Sequence, residues 1–143
     1  MHTVNQVLNQ KEIKEVWHIA ADNTVYEAIQ AMASKKVGAL LVMKRLTLEG
    51  IISERDYARE VILKGRSSTD TRVAEIMTSN VISVPSSESV ESSLAVMSEN
   101  HIRHLPVVDE NKVVGVLSIG DLVKVIISDQ QSTIKELESY IRG

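Results

Sequence analysis

The chain has 143 residues, 43% of them apolar, which is enough for one compact unit and short for two independent domains. Its 16 basic and 19 acidic side chains leave a net charge of −3 and a pI near 5.8, which argues against a nucleic-acid footprint over the molecule. With no Cys, disulfides, thiolate nucleophiles and Cys-ligated zinc are excluded. Val, Ile and Leu supply 44 residues, Phe is absent and aromatics total four, so the core must be aliphatic and β-branched, suited to buried strands covered by helices. The opening MHTVNQVLNQKEIKEV is too polar for a secretory signal, and the longest apolar run falls short of the roughly 20 residues that span a bilayer. A soluble, cytoplasmic protein with no membrane or nucleic-acid partner is expected.

In chain order, residues 3 to 10 are expected as a short helix and residues 16 to 19 as a brief strand. Asp22 or Asn23 then caps a helix whose apolar positions Val25, Ala28, Ile29, Met32 and Ala33 recur at three and four. The apolar runs ALLVM (39 to 43) and LEGII (48 to 52), split by KRLT, form a hairpin. Ser53 opens a second helix, SERDYAREVILKG, ending at Gly65. RSSTDTR (66 to 72) is a polar connection, followed by VAEIMT. The order then returns: a strand at 81 to 84 with Pro85 at its exit, and a helix with Val90, Leu94 and Met97 on one stripe. LPVVD and VVGVL follow, split by ENK, and then the helix SIGDLVKVII. TIKELESYIRG offers Ile134, Leu137, Tyr140 and Ile141 as one face of a terminal docking helix.

That return is an internal repeat. Residues 17 to 64 align with 82 to 129 without a gap at an offset of 65, with eight identities including Gly50/Gly115, Ser53/Ser118 and Asp56/Asp121. Each copy reads β-α-β-β-α over about 50 residues, too small to bury much core alone. The expected fold is α/β (α+β): two tandem repeats packed sheet to sheet with pseudo-two-fold symmetry. The expected segments are repeat 1 over 10–65, a linker over 66–77, repeat 2 over 78–129 and a C-terminal helix over 130–143.

The most informative motif is GIISERD (50 to 56) with its partner GVLSIGD (115 to 121). Ser-x-x-Asp ahead of an apolar-periodic run resembles a capping box, in which the two side chains only satisfy free helix N–H groups. A helix start at a strand end is also where anions bind, because unpaired N–H groups and the positive dipole end point outward. There a Ser hydroxyl can join in holding a phosphate and an Asp can accept from ribose hydroxyls. Gly, hydroxyl and carboxylate together outline a ribose-phosphate cradle.

The duplication, IMTSNVISV, the stretch MSENHIRHLPVVDENKVVGVLSIGDLV and the weaker MASKKVGALLVMKRLTLEGIISERDYA resemble the cystathionine-β-synthase (CBS) domain pair, or Bateman module, over residues 10 to 129. The resemblance implies a stand-alone regulatory module that binds adenosine-containing ligands, such as AMP, ADP, ATP, NAD or S-adenosylmethionine, in clefts between the repeats. It also implies association into a flat homodimer. On the family pattern the ribose Asp falls on Asp121 and Asp56, and the phosphate-side Ser on Ser118 and Ser53. Adenine contacts fall on Trp17, Val37 and Gly38 with Val116 for one cleft, and on Ile82 and Ile102 with Ile51 and the backbone near Thr78 for the other. Arg103 and His104 stand beside Ser118 in that geometry, followed by Gly120, and suit an α-phosphate. The first copy has Gly38 and Ala39 at their place, with Arg55 and Arg59 available in compensation. The Asp121 cleft is therefore expected to be the tighter site.

Other features take plainer readings. His101 and His104 straddle a helix end and a strand start with no acidic cluster adjacent in sequence, so no metal is expected. Trp17, Met32 and Met97 suit core packing, Arg103 can equally be a solvated rim charge, and KGRSSTDTR suits a flexible linker. No Cys, G-x-S-x-G or Glu-x-x-His arrangement supplies a nucleophile with a partner, so no enzymatic activity is expected. The competing function is a structural or adaptor protein with vestigial clefts that docks an unidentified effector protein.

Overall fold

The computed structural model describes residues 2–11 and 16–142. It divides into two compact bodies: a first body of residues 15–82 and 110–113, and a second of residues 1–14, 83–109 and 114–143. The start of the first expected repeat, residues 10 to 15, thus lies partly outside the described residues.

The chain opens with α1 (Val4–Gln10), which belongs to the second body and is capped by Thr3. In the first body, β1 (His18–Ile19) pairs in parallel with β2 (Ala39–Lys44), which pairs antiparallel with β3 (Thr47–Ser53), Leu40 opposite Ile52 and Val42 opposite Gly50. Between β1 and β2 runs α2 (Val25–Lys35). Its cap is Thr24, not Asp22 or Asn23. Thr24 and Glu27 bond reciprocally, whereas the Asn23 side chain accepts from the Ala20 N–H and donates to Glu27. After β3 comes α3 (Glu54–Tyr57), which runs into a π-helical turn, Ala58–Ile62, and stops at Gly65, whose φ of +67° suits a residue without Cβ. The core is aliphatic: Val25, Ala28, Met32, Leu40, Val42, Ile52 and Val61 are joined by Val73 and Ile76.

The last two come from α4 (Val73–Ile76), inside the segment expected as a linker. Thr71 is buried too, and its carbonyl accepts from the Val25 N–H at 2.8 Å. Residues 66 to 77 all belong to the first body, with Thr71, Val73 and Ile76 buried in it.

In the second body, α5 (Val90–Asn100), capped by Ser89, precedes a hairpin of β4 (His104–Asp109) and β5 (Lys112–Ser118). The hairpin turns through Glu110 and Asn111, both at positive φ, as a tight two-residue turn requires. The strand expected at 81 to 84 is reduced to one parallel bridge, Val84 to Val107. Pro85 brings no N–H to a ladder, and the Asp109 carboxylate takes the Ser86 N–H and hydroxyl. The last helix, α6 (Ile119–Arg142), is one unbroken element of 24 residues. The separate helix expected over 130–143 is its continuation, because no Gly or Pro interrupts residues 121 to 142.

A second correspondence joins the two bodies. The Val73 and Ala74 N–H groups donate to the carbonyls of Asn23 and Ala21, and Thr71 accepts from Val25. Val4 and Asn5 donate to Glu88 and Ser86, and His2 accepts from Val90, at positions that the 65-residue repeat makes equivalent. Residues 2 to 8 therefore do for the second body what 71 to 77 do for the first. Val4 and Val7, like Val73 and Ile76, end in the core.

Candidate functional site

Each serine of the repeated motif is the last residue of a strand, and each aspartate sits one turn into the following helix. In the first body the Ser53 N–H and hydroxyl both donate to Asp56 Oδ2, at 2.9 and 3.0 Å, and the Asp56 N–H donates back to the Ser53 oxygen at 3.1 Å. In the second body the Ser118 N–H donates to Asp121 Oδ2 at 2.8 Å, and the Asp121 N–H donates to Ser118 Oγ at 3.1 Å. Both pairs are capping boxes. The next N–H of each turn is also taken: Glu54 donates to the Gly38 carbonyl at 3.0 Å and Ile119 to the Arg103 carbonyl at 2.9 Å. Among the first three helical N–H groups, those of Arg55 and Gly120 have no partner among the described residues.

The two notches part company in charge. Lys11 places its ammonium 2.9 Å from Asp121 Oδ2 and 2.8 Å from the Val116 carbonyl, with about three quarters of each side chain shielded from water. Desolvation pushes the Asp121 pKa up, but the Ser118 N–H, the bond and charge of Lys11 and the Ser118 hydroxyl together outweigh it and hold the carboxyl below its ordinary value. His104, the first residue of β4, responds to the same charges. Desolvation, followed by the positive Lys11, lowers its pKa against the opposing pull of Asp121, with a smaller downward push from Arg103. The cluster thus favours the ionised form of Asp121 and the neutral form of His104. Asp121 Oδ1 takes no hydrogen bond from the described residues. Nothing in the sequence motif flags Lys11, which lies outside the aligned repeat on the segment following α1.

The remaining expected contacts fall as follows. Arg55, Arg59 and Arg103 are exposed. In the first body Trp17 packs against the core while the Lys35 ammonium lies 4.7 Å from its ring centroid, and Val37 packs against the same core. Ile51 and Thr78 exchange both backbone hydrogen bonds, at 3.0 and 2.9 Å, which leaves the Thr78 N–H occupied. Ile82 is exposed. In the second body Ile102 packs against the core, and Val116 is half-buried with its carbonyl held by Lys11. His101 caps the end of α5 in the left-handed conformation.

A duplicated β-α-β-β-α unit with a capped Ser–Asp notch in each copy defines a tandem-repeat α+β protein. The CBS domain family model matches residues 11–63 and 73–128, and the chain belongs to that family. Its relatives include the mitochondrial CBS domain-containing protein CBSX3 of Arabidopsis thaliana, 40% identical over 127 residues, which are 85% of this chain and 62% of that protein. The chain thus spans less than two thirds of that relative. Among solved structures, a CBS-domain protein from Burkholderia ambifaria MC40-6 is 47% identical with a TM-score of 0.80, over 90% of this chain and 96% of that one. The CBS domain pair of protein MJ0100, solved with 5-methylthioadenosine and S-adenosyl-L-methionine, is 25% identical with a TM-score of 0.73, over 87% of this chain and 99% of that one. Among the described residues no helix is long and apolar enough to cross a membrane.

Proposed function

We propose that this CBS domain pair is a regulatory module that binds an adenosine-containing ligand (AMP, ADP, ATP, NAD or S-adenosylmethionine), with the Asp121 notch as the tighter site. The observation that carries this reading is the open Oδ1 of a carboxylate whose other oxygen is already held by Ser118 and Lys11. A carboxylate fixed and ionised in this way is set to accept from ribose hydroxyls. The free Gly120 N–H, the Lys11 ammonium and the Arg103 guanidinium supply the positive side for a phosphate. Asp56 has the same open oxygen but, among the described residues, no cation on the other, which makes it the weaker grip. No catalytic role is assigned to either serine. The ligand acts by favouring one arrangement of the module over another, and a partner protein reads the difference.

Isothermal titration with the five ligands tests this. At least one is expected to bind, Asp121→Ala to weaken it by at least about tenfold, and Asp56→Ala to weaken it less. Equal losses would remove the ranking. A second reading, a structural or adaptor protein, is favoured by the capping boxes, which account for both Ser–Asp pairs without any ligand. Absence of thermal stabilisation by all five ligands would select it.

A further inference from the structure

Residues 2 to 11 are fastened to the second body in two ways. Val4 and Val7 of α1 are buried in its core, and Leu8 lies against Gly115, where an added Cβ would meet its Cδ2 at 2.8 Å. The two ends of the segment are held by aspartates of one helix: the His2 ring bonds Asp129 of α6 at 2.8 Å, and the Lys11 ammonium lies 2.9 Å from Asp121. These aspartates are eight residues apart, about 12 Å along a helix, close to the roughly 10 Å length of α1. The segment is thus a strap along α6, and one of its fastenings is the carboxylate of the notch. In the first body residues 71 to 77 provide the equivalent seat, and among the described residues no cation stands on Asp56.

We propose that α1 and Lys11 form a strap that reads the charge of the ligand in the Asp121 notch: an adenosine ligand with an anionic phosphate holds α1 in its seat, and one without a phosphate does not. This rests on the ligand reading above. An ammonium has three N–H donors, and among the described residues Lys11 spends two, on Asp121 Oδ2 and the Val116 carbonyl. The third is left for a ligand oxygen beside Asp121. With α1 seated, Lys11 offsets the charge of Asp121 and the notch accepts a phosphate. With α1 out of its seat Lys11 goes with it, and the same phosphate faces an uncompensated carboxylate. Ribose hydroxyls bond Asp121 in either arrangement, so an uncharged nucleoside gains little from the strap. The phosphate therefore binds the two arrangements unequally, which is what biases them. Linkage makes the reverse effect equal, so a seated α1 tightens the phosphate ligand by the same factor. Helix α1 suits a two-state element because its seven residues are too few to stay helical in water without a seat.

Hydrogen exchange by NMR on the full chain tests the strap at the Val4 and Asn5 amides. These donate to the Glu88 and Ser86 carbonyls at 2.8 and 2.9 Å, and they exchange when α1 leaves its seat. Saturating AMP is expected to slow both at least about tenfold, and adenosine at matched occupancy less than about twofold. Lys11→Met is expected to bring the AMP effect down to the adenosine level, and Lys11→Arg, which keeps the charge, to retain it. Three results would overturn the strap and leave the ligand reading in place: equal slowing by AMP and adenosine, an AMP effect that survives Lys11→Met, or Val4 and Asn5 amides that open no sooner than those in the middle of α5. AMP that fails to bind in calorimetry, or binds wild type and Asp121→Ala equally, would overturn the strap together with the phosphate ligand on which it rests.

Discussion

In the first body the Ser53 hydroxyl turns onto Asp56 and the notch closes on its own helix turn, whereas in the second body Asp121 pairs with Lys11 beside His104, whose pKa desolvation and then Lys11 lower against the pull of Asp121. The backbone frame is the same in both, down to the carbonyl that receives the first helical N–H. What duplication kept is what a strand-to-helix turn needs in order to fold. What diverged is the set of charges that a turn can do without. Identity of Ser and Asp between the copies therefore matches their shared capping box, that of Gly the close approach of a neighbouring segment, and the two notches differ in Lys11, Arg103 and His104.

The largest expected effect that sharpens the comparison concerns the paired glycines. A Cβ on Gly50 would stand 2.8 Å from the Thr78 carbonyl oxygen and 2.8 Å from Met77 Sδ, and the backbone oxygen cannot give way. A Cβ on Gly115 would meet only Leu8, nearest at 2.8 Å, and a leucine end can rotate. Gly50→Ala should cost about 1–3 kcal/mol and Gly115→Ala less than about 1 kcal/mol in urea unfolding. Equal costs would mean that α1 is held as rigidly as the segment at Met77 and Thr78.

Next is Ser93, fully buried with a hydroxyl that has no hydrogen-bond partner among the described residues, at the position where the first repeat has the buried Ala28. Ser93→Ala should stabilise the protein by about 1 kcal/mol, and Ala28→Ser should destabilise it by a similar amount. A loss on Ser93→Ala would show that the hydroxyl has a role in the second body that its counterpart lacks.

The smallest effect is electrostatic. Because the folded pKa of His104 lies below its ordinary value, the unfolded chain binds a proton first as pH falls, and stability declines from about pH 6.5 downward through the lowered value. Asp121 has the same sign in a lower window, losing its contribution below about pH 3.9. Lys11→Met removes a positive neighbour of both groups, so an NMR titration should move His104 and Asp121 upward and the loss of stability between pH 7 and 5 should shrink. A His104 titration that stays in place would break the link between Lys11 and the second notch.

Much of this was legible in the sequence because the 65-residue repeat is written in inward-facing apolar residues, with Leu40/Leu105 and Val42/Val107 buried in both copies. The correspondence of residues 2 to 8 with 71 to 77 was not. HTVNQVL and TRVAEIM share one identical residue, and their equivalence resides in backbone hydrogen bonds, which leave little trace in side chains. The cap of α2 was misplaced because Asp22, Asn23 and Thr24 are all capping residues, and Glu27, three places after Thr24, is what decides among them. At the Ser–Asp motif the capping-box reading matches the hydrogen bonds observed, and the ribose-phosphate reading stands as the proposal. The hydrogen bonds belong to the capping box, and Lys11 escaped notice because long-range ion pairs have no fixed spacing.

The mutual borrowing of residues 2–8 and 71–77 has a consequence for synthesis. Translation delivers the first body whole once residue 82 is made, apart from the hairpin tip at 110–113, but the opening helix of the chain must wait for α5 and β5 before it finds its hydrophobic seat. Helix α1 therefore stays without its seat through most of the elongation of residues 11 to 118, and the second body is completed last, around a segment made before either repeat.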